Sequence, residues 1–368
     1  MQLKKLLISA VIASFTLCSF VPTPCIYAAT ITSLASTQDI PKNMQIRSFT
    51  EFRSIINHAY DTLQTTLVLN VHSNDLSTYK SIIKENHGIA SFSLDCLSSG
   101  KKHTLTISLT YKQAYKINQG LKNNTAYSRL TAADIQVLNV GRSIVKKITN
   151  PSMTDFQKEI AIHDYIVNTT TYDVANAEAN TLPRSRYTAS GVLIDHVAVC
   201  EGYCEAFKLL LNLCNINCDI VYGLSSDTPH AWNIVNLEGN WYMVDVTFDD
   251  PISLTSENAR KDALTYDYLN ITNSQLRKDH TWDENAYPKA TNTKYNYYTY
   301  YCLVANNYEE FKSVLARQFL SGQETAICYV TNFNEYTYDL SFIHEFSSNG
   351  FAYTIPVGKQ GCVTIHLQ

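Results

Sequence analysis

The stretch that follows Val199 constrains the fold more tightly than any other. Tyr203, Ala206, Phe207, Leu210, Leu213 and Cys214 recur at three- and four-residue steps, and Leu209 and Leu211 widen the stripe. An apolar face this broad predicts a helix buried inside a core, not one laid on a surface. With 45% hydrophobic residues among 368, the chain has the material for such a core and is neither disordered nor collagen-like. Its length suggests two or three domains.

Cys200 stands at the start of this helix, after Val197-Ala198-Val199 and two residues before Gly202. A thiol there feels the positive end of the backbone dipole and faces unpaired N–H groups. That setting favours the thiolate, the reactive form of cysteine, and the same N–H groups could steady an oxyanion.

A hairpin is expected downstream. His230 to Leu237 reads as one strand, Glu238-Gly239-Asn240 contains the turn, and Trp241 to Thr247 reads as the return strand. A two-residue turn, Glu238-Gly239 or Gly239-Asn240, sets His230 opposite Thr247 or Asp249. Asp245 then shares a face with His230. The carboxylate could hold one ring nitrogen and leave the other for a thiol. A three-residue turn would separate the two faces unless a bulge corrected it. Asp249 and Asp250 are rival carboxylates, but register favours Asp245, and they read as turn residues before Pro251.

Taken together, Val199-Cys200-Glu201-Gly202-Tyr203, His230-Ala231-Trp232-Asn233 and Asp245-Val246-Thr247-Phe248-Asp249-Asp250-Pro251 resemble the bacterial transglutaminase-like superfamily. This is the group that includes the transglutaminase/protease-like cytokinesis proteins and kyphoscoliosis peptidase. The resemblance covers about residues 130 to 290 and extends weakly through Ile162-His163-Asp164-Tyr165, Tyr266-Asp267-Tyr268-Leu269 and His280-Thr281-Trp282-Asp283. It implies an α+β, papain-like core with the cysteine helix packed on an antiparallel sheet. It also implies a catalytic set of Cys200 as nucleophile, His230 as acid/base and Asp245 as orienting carboxylate. Two positions depart from the pattern: Cys204 stands where a small residue such as Ala is expected, and Phe248 where Trp is usual.

Other groupings carry less. Cys200, Cys204, Cys214 and Cys218 form two C-x-x-x-C pairs, a spacing that zinc sites use. Cys204 and Cys214 would lie about 15 Å apart on one helix, so no metal site is expected. A Cys214–Cys218 disulfide is a minor alternative. His163-Asp164 and His280 with Asp283 read as structural; neighbours on a helix point apart, so His163 and Asp164 are not expected to pair. No phosphate-cradling glycine loop or calcium loop is present, and no cofactor is expected.

Toward the N-terminus, Lys4-Lys5, the apolar run Leu6–Phe20 and Ala28-Ala29 read as a signal peptide over residues 1–29, short for a membrane span. Membrane attachment is expected only if it stays uncleaved. Its loss takes the formal charge from −4 to −6, because it carries two lysines and no acid, and leaves eight of ten cysteines. No basic run marks a nucleic-acid surface.

One internal repeat stands out. Phe49 to Ile56 matches Tyr308 to Leu315, and Thr66 to Val71 matches Thr325 to Val330, at a constant offset of 259. The expected organisation is therefore an α/β module over residues 30–125, a transglutaminase-like domain over 126–290, and a similar module over 291–368. The functional expectation is a secreted or envelope-associated cysteine enzyme acting on a protein or peptide amide, such as that of a cell-wall peptide. The alternative is an idle fold serving as an envelope scaffold, to which the flanking modules and 25 tyrosines would suit it.

Overall fold

Three four-stranded sheets and a two-stranded pairing organise the protein. The computed structural model describes residues 38–179, 181–250, 264–334, 336–354 and 361–368. The expected signal peptide, Cys18, Cys25 and Pro251 lie outside the described residues. No helix among the described residues is long and apolar enough to cross a membrane.

The first sheet unit contains β1 (Met44–Ile46), α1 (Phe49–Thr62), β2 (Thr66–Val71), α2 (Leu76–Lys84), β3 (Ile89–Ser99) and β4 (Lys102–Tyr111), in strand order β1-β2-β4-β3. Ser48 caps α1 by accepting from the Glu51 N–H, and Leu63 ends it in the left-handed region at φ 57°. Phe52, Ile55, Ile56 and Ala59 recur at helical spacing and bury that face against Leu67, Leu69, Leu105 and Ile107 of the sheet.

Next come α3 (Gln113–Lys122), α4 (Ala132–Ile148) and α5 (Asp155–Thr169). The capping box expected of Thr154 and Gln157 opens α5, and Thr131 with Asp134 builds another at α4. The stretch read as a polar loop, 169–185, contains the short β5 (Thr171–Tyr172), which pairs in parallel with β6 (Val197–Ala198). The chain then enters α6 (Cys200–Leu213). This helix is the centre of the largest apolar cluster; Tyr203, Ala206, Phe207 and Leu210 are fully buried. Gly141 of α4 lets Leu210 and Leu213 approach, since a Cβ there would sit 3.4 and 3.2 Å from their methyls.

Beneath α6 lies the second sheet, β10-β7-β8-β9, formed by β7 (Asn217–Ser225), β8 (Thr228–Leu237), β9 (Asn240–Val244) and β10 (His280–Trp282), all antiparallel. The fold class is α+β, as expected.

The third sheet holds β11 (Val304–Ala305), β12 (Thr325–Val330), β13 (Phe351–Thr354) and β14 (Gly361–Leu367), with α7 (Tyr308–Leu320) between its first two strands. Its order β11-β12-β14-β13 repeats that of the first sheet. The 259-residue offset holds through the first two strands and the helix between them. Asn307 caps α7 as Ser48 caps α1, and Phe311, Val314 and Leu315 take the buried places of Phe52, Ile55 and Ile56. Gly322 supplies the left-handed residue where the first unit has Leu63. The parallel pairing Val304↔Tyr329 reproduces Gln45↔Asn70.

Candidate functional site

Cys200 is the first residue of α6, with Val199 as a cap that offers no side-chain acceptor. The thiol is half-buried. The N-terminus of α6 is seated on the 184–198 segment: the Val199 N–H donates to the Arg186 carbonyl at 3.0 Å. A Cβ on Gly202 would lie 2.4 Å from that oxygen, so only glycine allows this seating. Arg186 is itself held by Asp173 and Asp195 at 2.9 and 3.0 Å.

The hairpin has the two-residue turn that the triad geometry needs. Leu237 pairs with Asn240, and Glu238 and Gly239 carry φ of 50° and 81°, as a turn matched to strand twist requires. β9 ends at Val244, three residues short of the expected strand end, and Asp245 steps out of the ladder with its N–H on the Tyr268 carbonyl. His230 and Asp245 nevertheless meet, Nε2 to Oδ2 at 2.7 Å. The Cys200 side chain lies on the other side of the imidazole and acts on it electrostatically, so the set runs thiol, imidazole, carboxylate.

Burial alone would lower the His230 pKa. The Asp245 hydrogen bond and the negative charge of Asp245 and Cys200 outweigh it and push the imidazole up to about 10. Asp245 is 1% exposed, and burial alone would raise its pKa. The His230 and His280 hydrogen bonds, with the charge of both rings, instead hold it below the ordinary carboxylate value. Its Oδ1 accepts from the Thr247 and Phe248 N–H groups at 3.0 and 3.1 Å.

Two further residues join the set: Tyr172, which the sequence reading did not single out, and His280, which it read as structural. Tyr172 is a neighbour of Cys200; burial and then the thiol's charge push its hydroxyl up to about 12. His280 is fully buried, and its Nε2 reaches the same Asp245 Oδ2 at 3.1 Å, while its Nδ1 faces Asp279 Oδ1 at 2.6 Å. The expected partner of His280, Asp283, instead caps the Asn285 N–H. The ligand-type atoms of His230, Asp245 and His280 lie within 4.8 Å of one another, closer than any other such trio among the described residues. Their N–O separations of 2.7 and 3.1 Å are those of N–H···O bonds, and we assign them so.

One expectation needs correcting. His163 does bond Asp164, Nδ1 to Oδ1 at 3.0 Å, because Nδ1 lies close to its own backbone and a short carboxylate one residue on can turn to meet it. Asp249 lies in a turn after β9, as read, but is fully buried there and bonds His163 Nε2 at 3.2 Å, the Thr265 hydroxyl and the Tyr268 N–H. Asp250 is half-buried and accepts from the Tyr203 hydroxyl at 2.7 Å. Neither faces His230 in place of Asp245. The eight described cysteines are unpaired, and the four around α6 do not converge. Burial pushes the Cys204 and Cys218 thiols well up, which leaves them inert.

Residues 142–246, spanning Cys200, His230 and Asp245, match the family model of the transglutaminase-like superfamily. This central segment belongs to that superfamily. Kyphoscoliosis peptidase of Homo sapiens is 28% identical over 117 residues, covering 28% of this chain and 17% of its own length. The Mus musculus form is 25% identical over 130 residues, covering 32% and 19%. The chain thus spans less than a fifth of those relatives. A solved TGase aligns over 61% of this chain and 64% of its own at 15% identity, with a TM-score of 0.30. In transglutaminase-like terms, the motif residues of this chain are the ones its fold brings together, while Tyr172 and His280 join them from segments outside the three motifs.

Proposed function

We propose that this transglutaminase-like protein is a cysteine-dependent acyl-transfer enzyme, with Cys200 as nucleophile, His230 as acid/base and Asp245 as the carboxylate that orients it. The observation that carries the reading is the His230–Asp245 hydrogen bond at 2.7 Å set beside Cys200, the first residue of a buried helix.

The chemistry follows from that arrangement. The Cys200 Sγ attacks an amide carbonyl while the imidazolium is held on Asp245. The carbonyl oxygen becomes an oxyanion that backbone N–H groups at the start of α6 can meet. His230 gives its proton to the departing nitrogen, the C–N bond breaks, and an amine and a Cys200 thioester remain. Water or a second amine then attacks the thioester, His230 takes the proton, the C–S bond breaks, and Cys200 leaves as the thiolate beside the restored imidazolium. Water gives hydrolysis; an amine gives a cross-link. A cleft of about 460 Å³ opens beside His230, lined by Tyr172, Ser225, Thr228, Phe248 and Asp250 among others. It suits a protein or peptide chain, and the export signal read at residues 1–29 puts that substrate outside the cytoplasm or in the envelope.

The test uses iodoacetamide on the native protein at neutral pH, with the labelled peptides mapped by mass spectrometry. Cys200 should react faster than the exposed Cys302, and His230→Ala should slow it by at least about tenfold. Preferential labelling of Cys302 with Cys200 inert would sink the reading. Peptides offered with and without an added amine then separate hydrolysis from cross-linking.

A further inference from the structure

We propose that His280 is a positioning residue for this chemistry, acting on His230 through their shared acceptor, so that the working unit is Cys200–His230–Asp245–His280. The inference rests on the thiol-nucleophile reading above.

A histidine buried only for packing would be satisfied by Asp279. His280 is instead held at both nitrogens, and the second acceptor is the same Asp245 oxygen that His230 uses. Its ring cannot swing away. Phe248 and Trp232 pack at 4.7 and 5.0 Å and Tyr268 at 5.9 Å, while the Tyr268 hydroxyl fixes the far oxygen of Asp279. The same two rings, Phe248 and Trp232, pack against His230 at 5.1 and 6.0 Å. The two imidazoles and the carboxylate between them therefore share one dry, aromatic enclosure, where each hydrogen bond counts for more than it would in water.

Asp245 has no spare capacity in that enclosure. Its two oxygens take four donors: Thr247 and Phe248 N–H on Oδ1, His230 and His280 on Oδ2. A carboxylate offers about four lone-pair sites. By occupying one of them, His280 fixes the rotation of the carboxylate and limits how strongly it draws the His230 proton. The other titratable groups facing this set are Cys200 and Cys204 of α6, Tyr172 of β5, Tyr268 and Asp279 before β10, and Asp250 in the cleft.

The experiment follows iodoacetamide labelling of Cys200 in the full chain between about pH 4 and 10, for wild type, His280→Phe and His280→Gln. Loss of the donor in His280→Phe leaves Oδ2 to His230 alone. The midpoint of the labelling profile should then shift by about half a unit or more. The Gln amide nitrogen can donate to the same oxygen and should return the profile to wild type. A rate loss or lower melting temperature in His280→Phe with the midpoint unmoved would mean a packing role and overturn the inference, as would identical profiles for all three proteins. A wild-type Cys200 no more reactive than Cys302 overturns the thiol-nucleophile reading itself, and this one with it.

Discussion

At the scale of single residues, the placement of Cys200 depends on a contact its neighbours in sequence do not reveal. Gly202 looks like a spacer, yet a Cβ there would sit 2.4 Å from the Arg186 carbonyl oxygen and 2.9 Å from the Ala198 Cβ. The carbonyl cannot give way easily, because Arg186 is tied to Asp173 and Asp195 and its oxygen already holds the Val199 N–H. Gly202→Ala should therefore lift the start of α6 off its seat. The expected cost is about 1–3 kcal/mol in urea unfolding, with slower alkylation of Cys200. Wild-type stability together with wild-type labelling would show that the seat is slack. Cys200, His230 and Asp245 were legible in the sequence because each sits in a short local pattern. Tyr172 and His280 were not, since they enter from two- and three-residue strands with no periodicity of their own. The rule that adjacent helical side chains diverge hid the His163–Asp164 bond, because it concerns Cβ directions and not the reach of Nδ1.

At the scale of elements, the β8–β9 turn decides whether His230 and Asp245 meet. Side chains alternate along a strand, so a change of one residue in the turn sends one of the pair to the opposite face. Glu238 already pays for a positive φ without being glycine, and it leans on Lys294 at 2.5 Å. Gly239, at φ 81°, is the position where a branched side chain is least tolerable. Gly239→Val should cost about 1–2 kcal/mol from the left-handed conformation alone. It should also loosen the register, so that the His230 imidazole, followed by NMR, titrates well below about 10 and closer to its ordinary value of 6.5. An unshifted His230 in that variant would mean that the contacts of Asp245 with Tyr268, Thr247 and Phe248, not the turn, set the geometry. The hairpin and α6 were readable because amphipathic spacing and turn residues are local signals. The seat of Asp245 was less so: it leaves the ladder at Val244 and is held by Tyr268, which lies beyond the return strand.

At the scale of the molecule, the two outer units repeat one plan at the 259-residue offset, a regularity visible in sequence because each copy is short and self-contained. What binds the middle together was not visible there, because it is a buried polar network contributed by distant segments. α5 supplies Glu159 and His163, and the chain beyond β9 supplies Asp249 and Asn270. All four residues are fully buried. Burial pushes Glu159 up to about 8 despite the Asn270 hydrogen bond, and its Oε1 has no partner. Burial likewise raises Asp249 to about 6, against the pull of His163. For His163 burial works downward, but hydrogen bonds and charge from Asp164 and Asp249 prevail and carry it to about 9. With His230 at about 10, every one of these groups binds its proton more tightly in the folded chain than in the unfolded one. The sign follows directly: their stabilisation is complete below the unfolded values and is lost as pH rises through the folded ones. Asp249 is spent by about pH 6, leaving Glu159, His163 and His230 to titrate over the window from about 6.5 to about 10. Thermal melts should accordingly fall steadily across that window, and Glu159→Gln, which keeps the Asn270 contact without an ionisable oxygen, should flatten the stretch up to about pH 8. A melting temperature that held level or rose between those limits would show that the network is not proton-linked to folding.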